Sequence, residues 1–423
     1  MTTTSPTLTR RTLNRLGLAS PALALMPRGV HAADTVKIGA PYPLTGGAAS
    51  AGVAVKQAIE VAVEIINNPH PELPQIPLAP TEGLPGLGGR KVEVIFADHQ
   101  GSPAIAQSEA LRLVTQDKVA ALTGCYQSSC TLTASAVAER YGMPFLAGES
   151  SAPSLTERGF KTFFRTTPIG TDFGDAYAAF LQDRKTTGFK IGKIALVNEN
   201  TEYGTSTAAA IVEAAKAKGL TIDPRIAYNA NSSDVSAQVL QLKNAAPDVV
   251  IFVSYTSDAI LFIKTMHTLN WKPPIVIGDD SGFSDNAFID AVGDLAQDAI
   301  NRSSFDAGKA GSASFIVNEL YQKHALHALD DTSARGLQGF LALMEAINRA
   351  GSVEGAKIIA ALNGQDLKPE QLMIGYNGIK YDAKGQNLLA STLLVQLFGK
   401  KYVAIWPDKS AVQPLVLPFK GWG

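Results

Sequence analysis

Short apolar runs alternate with Ala-rich amphipathic runs along most of the chain. "TVKIGAPYP" from Thr35 reads as a strand, and "AVKQAIEVAVEIINN" from Ala54 carries apolar residues at helical spacing. "KVEVIFAD", "VAALTG" and "MPFLAG" repeat the first pattern. "AIAQSEALRLVTQD" and "LTASAVAERYG" repeat the second. Strand and helix in strict succession predict parallel sheets with helices on both faces, joined by right-handed crossovers.

The alternation then restarts. "KIALVNEN", "TIDPRIAY", "DVVIFVSY" and "PIVIGDD" read as strands, separated by helical patterns such as "GTSTAAAIVEAAKAKG" and "SDAILFIKTMHTLN". Three helical patterns follow: "SASFIVNELYQKHAL", "RGLQGFLALMEAINRAG" and "VEGAKIIAALNG". The tail "STLLVQLFGKKYVAIWP" reads as two strands joined through Gly399. The Pro- and Gly-dense stretch Asn68–Gly89 can continue neither a helix nor a central strand, so it reads as a surface loop.

Length and composition turn this pattern into two lobes. The chain has 423 residues, 46% of them hydrophobic, which exceeds one ordinary core. The first residues stand apart. Paired Arg10 and Arg11, the apolar run Leu16–Met26 and the small residues of "VHA" before Ala33 give the three regions of an export signal over residues 1–33, resembling the twin-arginine type. Its removal would take four arginines and no acid, moving the net charge from −1 to −5. No later apolar run has the length of a membrane span. The expected location is therefore periplasmic. No basic stripe with interleaved aromatics appears, so nucleic acid is not an expected partner.

The chemistry is sparse. There is no P-loop, no HExxH and no GxSxG elbow, and neither cofactor nor metal is expected. His324 and His327 lie three apart without further ligands, and read as a solvated helix face. "DDSGFSDN" (279–286) lacks the alternation of a calcium loop and reads as a loop after a strand. Cys125 and Cys130 are too far apart for a thioredoxin-type pair. A short-loop disulfide and two reduced thiols both fit them.

"GCYQSSC" (124–130) lies between a strand and a helix, where unpaired backbone N–H groups attract anions. Ser128 and Ser129 can cap that helix or donate to a carboxylate. "GESSAPS" (148–154) follows the next strand at the same sheet edge. Parallel sheets bind ligands outside the carboxyl ends of their strands. Two adjacent hydroxyl-rich loops there form a ligand cup. The second lobe offers Tyr203, Tyr255 and Asp279–Asp280 at the ends of its own strands.

With these residues in place the chain resembles the type I periplasmic solute-binding proteins of ABC importers, in the branch similar to the Leu/Ile/Val-binding proteins. The resemblance rests on "VKIGAPYPLTGGAASAG", "GRKVEVIFADHQGSPAIAQSEALRLVTQDKVAALTG", "SSAPSLTERGFKTFFRTTP", "NENTEYGTSTAAA" and "PDVVIFVSYTSDAILFIK", in that order over nearly the whole chain after the leader. It implies an α/β fold of two Rossmann-like lobes joined by three hinge crossings, near Arg165–Pro168, Ser303–Phe305 and Gly385–Ser391. Lobe 1 would be residues 34–166 and 304–388, and lobe 2 residues 167–303 and 389–423.

The resemblance also implies roles. Ser128 and Ser151 would hold a ligand α-carboxylate with the Ser150 backbone. Tyr203 and Tyr255 would line the pocket from lobe 2, and Asp280 would receive the α-ammonium. The "TGGAAS" turn (45–50) would close one side of the side-chain pocket. Two positions depart from the family: Glu149 stands where many relatives have a small residue, and small residues around Ala51 replace a bulky ring. Glu149 is expected either to face the pocket and disfavour acidic ligands or to be a solvated loop acid.

The expected function is a monomeric receptor, without catalysis, that passes an amino acid or related amide to an ABC permease. A ligand sensor of the same fold is one alternative. A secreted hydrolase or amidase is another, and would need a base beside a serine. His99 is the one histidine after the leader that stands close to the expected cleft.

Overall fold

The computed structural model describes residues 35–422, so the expected export signal lies outside the described residues. The first lobe is built from β1 (Val36–Tyr42), α1 (Ala49–Asn67), β2 (Val92–Asp98), α2 (Pro103–Thr115), β3 (Ala121–Thr123), α3 (Ser128–Tyr141), β4 (Phe145–Ala147) and β5 (Phe163–Arg165). Its sheet is parallel throughout, in the order β2-β1-β3-β4-β5. Side chains alternate across it. Ile38, Ala40 and Tyr42 of β1 pack with α1, while Leu122, Phe145 and Ala147 pack with Leu113 of α2 and Ala134 of α3.

The chain then builds the second lobe from α4 (Gly170–Thr186), β6 (Ile194–Glu199), α5 (Glu202–Ala217), β7 (Ile222–Tyr228), α6 (Ser236–Ala245), β8 (Val249–Val253), α7 (Thr256–Thr268), β9 (Ile275–Gly278), α8 (Ser281–Ser284), α9 (Asn286–Val292) and β10 (Ile300–Ser303). It returns for α10 (Ala313–His324), α11 (Asp331–Ala350) and α12 (Gly355–Asn363), and α10 and α11 pack against α1. A small hairpin pair, β11 (Asp366–Leu367) and β12 (Ile379–Lys380), follows. The final strands β13 (Leu393–Phe398) and β14 (Lys401–Trp406) join the second sheet, in the order β14-β13-β10-β9-β8-β6-β7. β13 runs antiparallel to β10, and β14 antiparallel to β13, as expected for two strands turned through Gly399.

The result is two Rossmann-like lobes with three crossings between them: after β5, after β10 and before β13. Side chains fasten the crossings. Asp331, at the start of α11, accepts from the backbone N–H of Ser304 at 2.6 Å and of Phe305 at 3.1 Å. Asn387 donates to the Thr166 carbonyl at 3.1 Å, and Gln386 to the Thr167 carbonyl at 3.0 Å.

Two segments differ from their sequence reading. The stretch 68–89 is not a plain surface loop: Leu73, Ile76, Ala79 and Leu84 are fully buried or nearly so, in the same core as α1. Its apolar residues sit between prolines, so the chain folds inward with only one short 3-10 turn, Pro85–Leu87. The segment 279–286 is partly helical rather than a loop. It carries α8, and Asp285 caps α9 through the Ala287 N–H at 2.9 Å.

Candidate functional site

Both sheets turn their carboxyl ends toward one cleft, and the loops there meet across it. Ser154 donates to Glu202 at 2.6 Å, and Ser50 to Asp285 at 2.5 Å. The turn at 45–50 is held by Asp98, whose carboxylate accepts from Leu44 N at 2.9 Å and from the Thr45 hydroxyl at 2.6 Å. Gly47 in that turn is required by contact: a Cβ there would stand 2.0 Å from Oδ1 of Asn231 in the other lobe. Ser128, Glu149, Ser150, Ser151, Tyr203, Tyr255 and Asp280 are all buried at this meeting surface, each 4% exposed or less.

The lobe 1 side is hydroxyl-rich, and its cup contacts are made by neutral groups. Ser128 is the first residue of α3 rather than its cap; Gln127 holds the cap position without a side-chain bond. The Ser128 hydroxyl instead accepts from Ala152 N at 3.3 Å, which ties the two cup loops together. Ser150 donates to the Tyr126 carbonyl at 2.9 Å and meets the Thr131 hydroxyl at 2.6 Å. Buried Arg165 grips the same loop through the carbonyls of Ser150 at 3.1 Å and Ala152 at 2.6 Å. Ser151 accepts through its backbone from Gly170 N, at the first crossing.

Of the two states open to the cysteines, the structure shows reduced thiols. Cys125 and Cys130 are separate thiols, both completely buried in the apolar layer under α2 and α3. Cys125 is fixed by its N–H to Thr131 Oγ1 at 3.1 Å and by its carbonyl to His99 Nε2 at 3.0 Å. Cys130 is fixed by the first turn of α3, its N–H bonded to the Gln127 carbonyl. Burial holds Cys125 well above the ordinary thiol range and pushes Cys130 up to about 12, so both are inert small hydrophobes. His99 accepts from Gly101 N at 3.1 Å through Nδ1 and uses Nε2 on the Cys125 carbonyl. Both its nitrogens are committed to the loop backbone, away from the serine hydroxyls.

A chain of aromatic rings links the lobes. Tyr126 lies against Tyr255 with centroids 5.7 Å apart, and Tyr255 against Tyr203 at 5.3 Å. The Tyr255 hydroxyl is buried and has no hydrogen-bond partner among the described residues. Tyr203 donates to Asp279, at 2.7 Å to Oδ2 and 2.6 Å to the carbonyl.

The lobe 2 side is an ion lattice that sequence reasoning missed. Asp280 does not stand open to an ammonium. Its Oδ2 accepts from Arg302 Nη2 at 2.9 Å and from Arg335 Nη2, and its Oδ1 from the Ser284 hydroxyl at 2.9 Å. Arg335 reaches across from α11 of lobe 1 and also binds Asp331 at 2.9 Å, the Glu149 carbonyl at 3.0 Å and the Thr167 hydroxyl at 2.9 Å. Arg302 lies over the Phe173 ring, 3.3 Å from its centroid, and 3.4 Å from Asp279 Oδ1. Burial opposes both guanidinium charges, but Asp280 and Asp279 around Arg302, and Asp280 and Asp331 around Arg335, more than offset it. Both pKa values lie above the ordinary arginine value. The sequence carried a faint signal here: arginines at the start of a helix ("DDTSAR") and in a strand ("INRSS") that otherwise read as core.

Glu149 is not the solvated acid that was one of its two expected fates. Its Oε1 accepts from the Tyr42 hydroxyl at 2.9 Å, and its Oε2 is buried without a partner. Burial pushes its pKa up to about 7, against the lowering effects of Tyr42 and Arg335. Gly336 makes room for it; a Cβ there would lie 2.4 Å from Oε1. Among the described residues no group of three or more His, Cys, Asp or Glu is placed to hold a metal, and no helix is long and apolar enough to cross a membrane.

Comparison with known proteins agrees with this architecture. The sequence profile of the family described as "Periplasmic binding protein" matches residues 35–399. Leu/Ile/Val-binding protein homolog 7 of Brucella suis biovar 1 (strain 1330) is 30% identical over 417 residues, covering 95% of this chain and 98% of the relative. The branched-chain amino acid transporter substrate binding protein LivJ from Streptococcus pneumoniae, solved with isoleucine, superposes with a TM-score of 0.74 at 20% identity, over 91% of this chain and 100% of its own. A solute binding protein of an ABC transporter from Rhodopseudomonas palustris BisB5, solved with 3,4-dihydroxy benzoic acid, superposes with a TM-score of 0.72 at 21% identity, over 87% of this chain and 95% of its own. The chain belongs to the periplasmic binding protein family.

Proposed function

We propose that the chain is the periplasmic receptor of an ABC importer, closing its two lobes on one small carboxylate-bearing solute, an amino acid or a related acid, and presenting it to the permease subunits in the membrane. It works as a monomer and performs no chemistry on the ligand. The observation that carries this reading is the pairing of a helix N-terminus and a hydroxyl cup on lobe 1 with the buried, unpartnered Tyr255 hydroxyl on lobe 2, in one closed surface. Ser128, Ser151 and the first turn of α3 hold the carboxylate. Tyr126, Tyr203 and Tyr255 wall the rest of the ligand. Residues 34–166 with 304–388, and 167–303 with 389–423, move as the two bodies, and ligand shifts the population toward closure by its higher affinity for that state.

A thermal-shift screen over amino acids, amides, urea-like compounds and aromatic acids tests this, since a ligand of the folded state raises the melting temperature by mass action. The best ligand should then lose about 1.5–3 kcal/mol of binding to Ser151→Ala, the worth of a hydrogen bond to a charged group. Unchanged affinity in a folded Ser151→Ala protein removes Ser151 from the site. No shift with any compound refutes the receptor reading.

A further inference from the structure

We infer that the solute carries a carboxylate but no ammonium group: an acid with an apolar or aromatic body rather than an α-amino acid. This deepens the receptor reading and rests on it. An ammonium brought into a dry cleft needs a charged acceptor and further acceptors for its remaining protons. Asp279, Asp280 and Asp331, the acids that meet the two arginines here, are already occupied by the chain itself.

Asp280 receives two guanidiniums and a serine hydroxyl. Asp279 takes the Tyr177 hydroxyl at 2.6 Å on Oδ1 and the Tyr203 hydroxyl on Oδ2, beside Arg302. Asp331 spends Oδ1 on the crossing at Ser303–Phe305 and Oδ2 on Arg335. A ligand ammonium at Asp280 would have to displace a buried guanidinium that four other groups hold, namely Asp331, Thr332, Thr167 and the Glu149 carbonyl. A cation arriving beside Arg302 and Arg335 would also meet like charge. The fixed cations of this cleft therefore do the work that a ligand ammonium would do. The Tyr255 hydroxyl remains without a partner beside the cup and three tyrosine rings, groups that suit a carboxylate on a flat or aliphatic body.

Glu149 Oε2 and Gln127 Oε1 are buried acceptors without a partner near the cup, and of the two only Glu149 can carry charge. Its carboxyl sits between Tyr42 and Gly336, and burial keeps it partly protonated near neutrality. In that form it is a poor partner for a cation.

Matched pairs of probes decide the matter on the unaltered protein: L-leucine against 4-methylpentanoate, L-phenylalanine against 3-phenylpropanoate, and L-tyrosine against its des-amino acid, each by titration calorimetry. The two members of a pair differ only in the ammonium. The inference expects the ammonium-free member of the best pair to bind tighter by about tenfold or more. Equal or tighter binding of the amino acid overturns the inference and leaves the receptor reading standing. If that binding is then lost in Glu149→Gln, Glu149 rather than Asp280 receives the ammonium, which overturns the inference in the same way. Binding of neither member of any pair overturns the inference and leaves the receptor reading to the wider screen of amides and aromatic acids.

Discussion

The two sides of the cleft are built on opposite principles. The lobe 1 cup consists of neutral groups: Ser128, Ser150, Thr131 and backbone amides, joined by hydrogen bonds between loops that follow adjacent strands. The lobe 2 side consists of full charges, with Asp279, Asp280 and Arg302 meeting Asp331 and Arg335 from α11. The neutral side can admit an anion at low cost, because its donors hold only partial charge. The charged side holds three carboxylates against two guanidiniums, a formal charge of −1, so it disfavours a ligand anion there and leaves that role to the neutral cup. A cleft of this kind separates binding from closure. On the proposed receptor reading the cup would recognise the solute, while the ion lattice spans the lobes.

The sharpest way to break the comparison is to remove one cation from the charged side. Arg335→Ala would leave Asp280 with Arg302 as its one cation and Asp331 with only the more distant Arg302 cation at 3.8 Å. Breaking a buried pair by deleting one member typically costs about 3–5 kcal/mol. Urea unfolding of the variant should show that loss, and Arg335→Lys should recover only part of it, because an ammonium lacks the fork that reaches five partners. A loss of about 1 kcal/mol or less would mean that the lattice is solvated in solution and contributes no closure.

The next test concerns the acid on the neutral side. Glu149 has a folded-state pKa of about 7 against an ordinary value of 4.5. A raised pKa means that the protonated form is favoured by folding. Its contribution is fully present below pH 4.5 and is lost as pH rises through about 7. The loss across that window is on the order of 3 kcal/mol. Glu149→Gln keeps the Tyr42 contact without the charge. Its stability relative to the parent should therefore rise between pH 4.5 and 7, read as the difference between two urea curves at each pH. A constant difference would place Glu149 in water and restore the solvated reading of the sequence.

The alternating pattern made the fold legible, because strand and helix periods are local properties of the chain. The strand-end rule singled out "GCYQSSC" and "GESSAPS", which lie directly after adjacent strands and are joined by hydrogen bonds in the fold. The ion lattice was not legible for the opposite reason. Arg335 lies 55 positions after Asp280 and 186 after Glu149, and only folding brings the three together. In the sequence Arg335 is one charged residue opening a helix, with nothing local to mark it as fully buried. Glu149 was visible as a candidate, but its burial depends on Tyr42 and Gly336, which come from distant elements. The segment 68–89 misled in another way: proline excludes helix and strand, and yet does not keep the intervening leucines out of a core.

The smallest effect should come from the cysteines, and its smallness is informative. Cys125 and Cys130 lie under the neutral cup, directly behind Ser128 and Tyr126 in the chain. If they were bridged, reduction would release the loop that shapes the cup, and affinity would fall with little change in global stability, since so short a loop removes little chain entropy. As buried thiols they contribute only packing. A reductant should then leave both the melting temperature and ligand affinity unchanged. Alkylation with iodoacetamide should be slow in the native protein and complete in denaturant, because burial keeps both groups protonated and shielded. Intact-mass measurement should show two added groups after denaturation without reductant. Only an unmodified mass, lower by two hydrogens, would return the bridge to the cup and make its stiffness part of recognition.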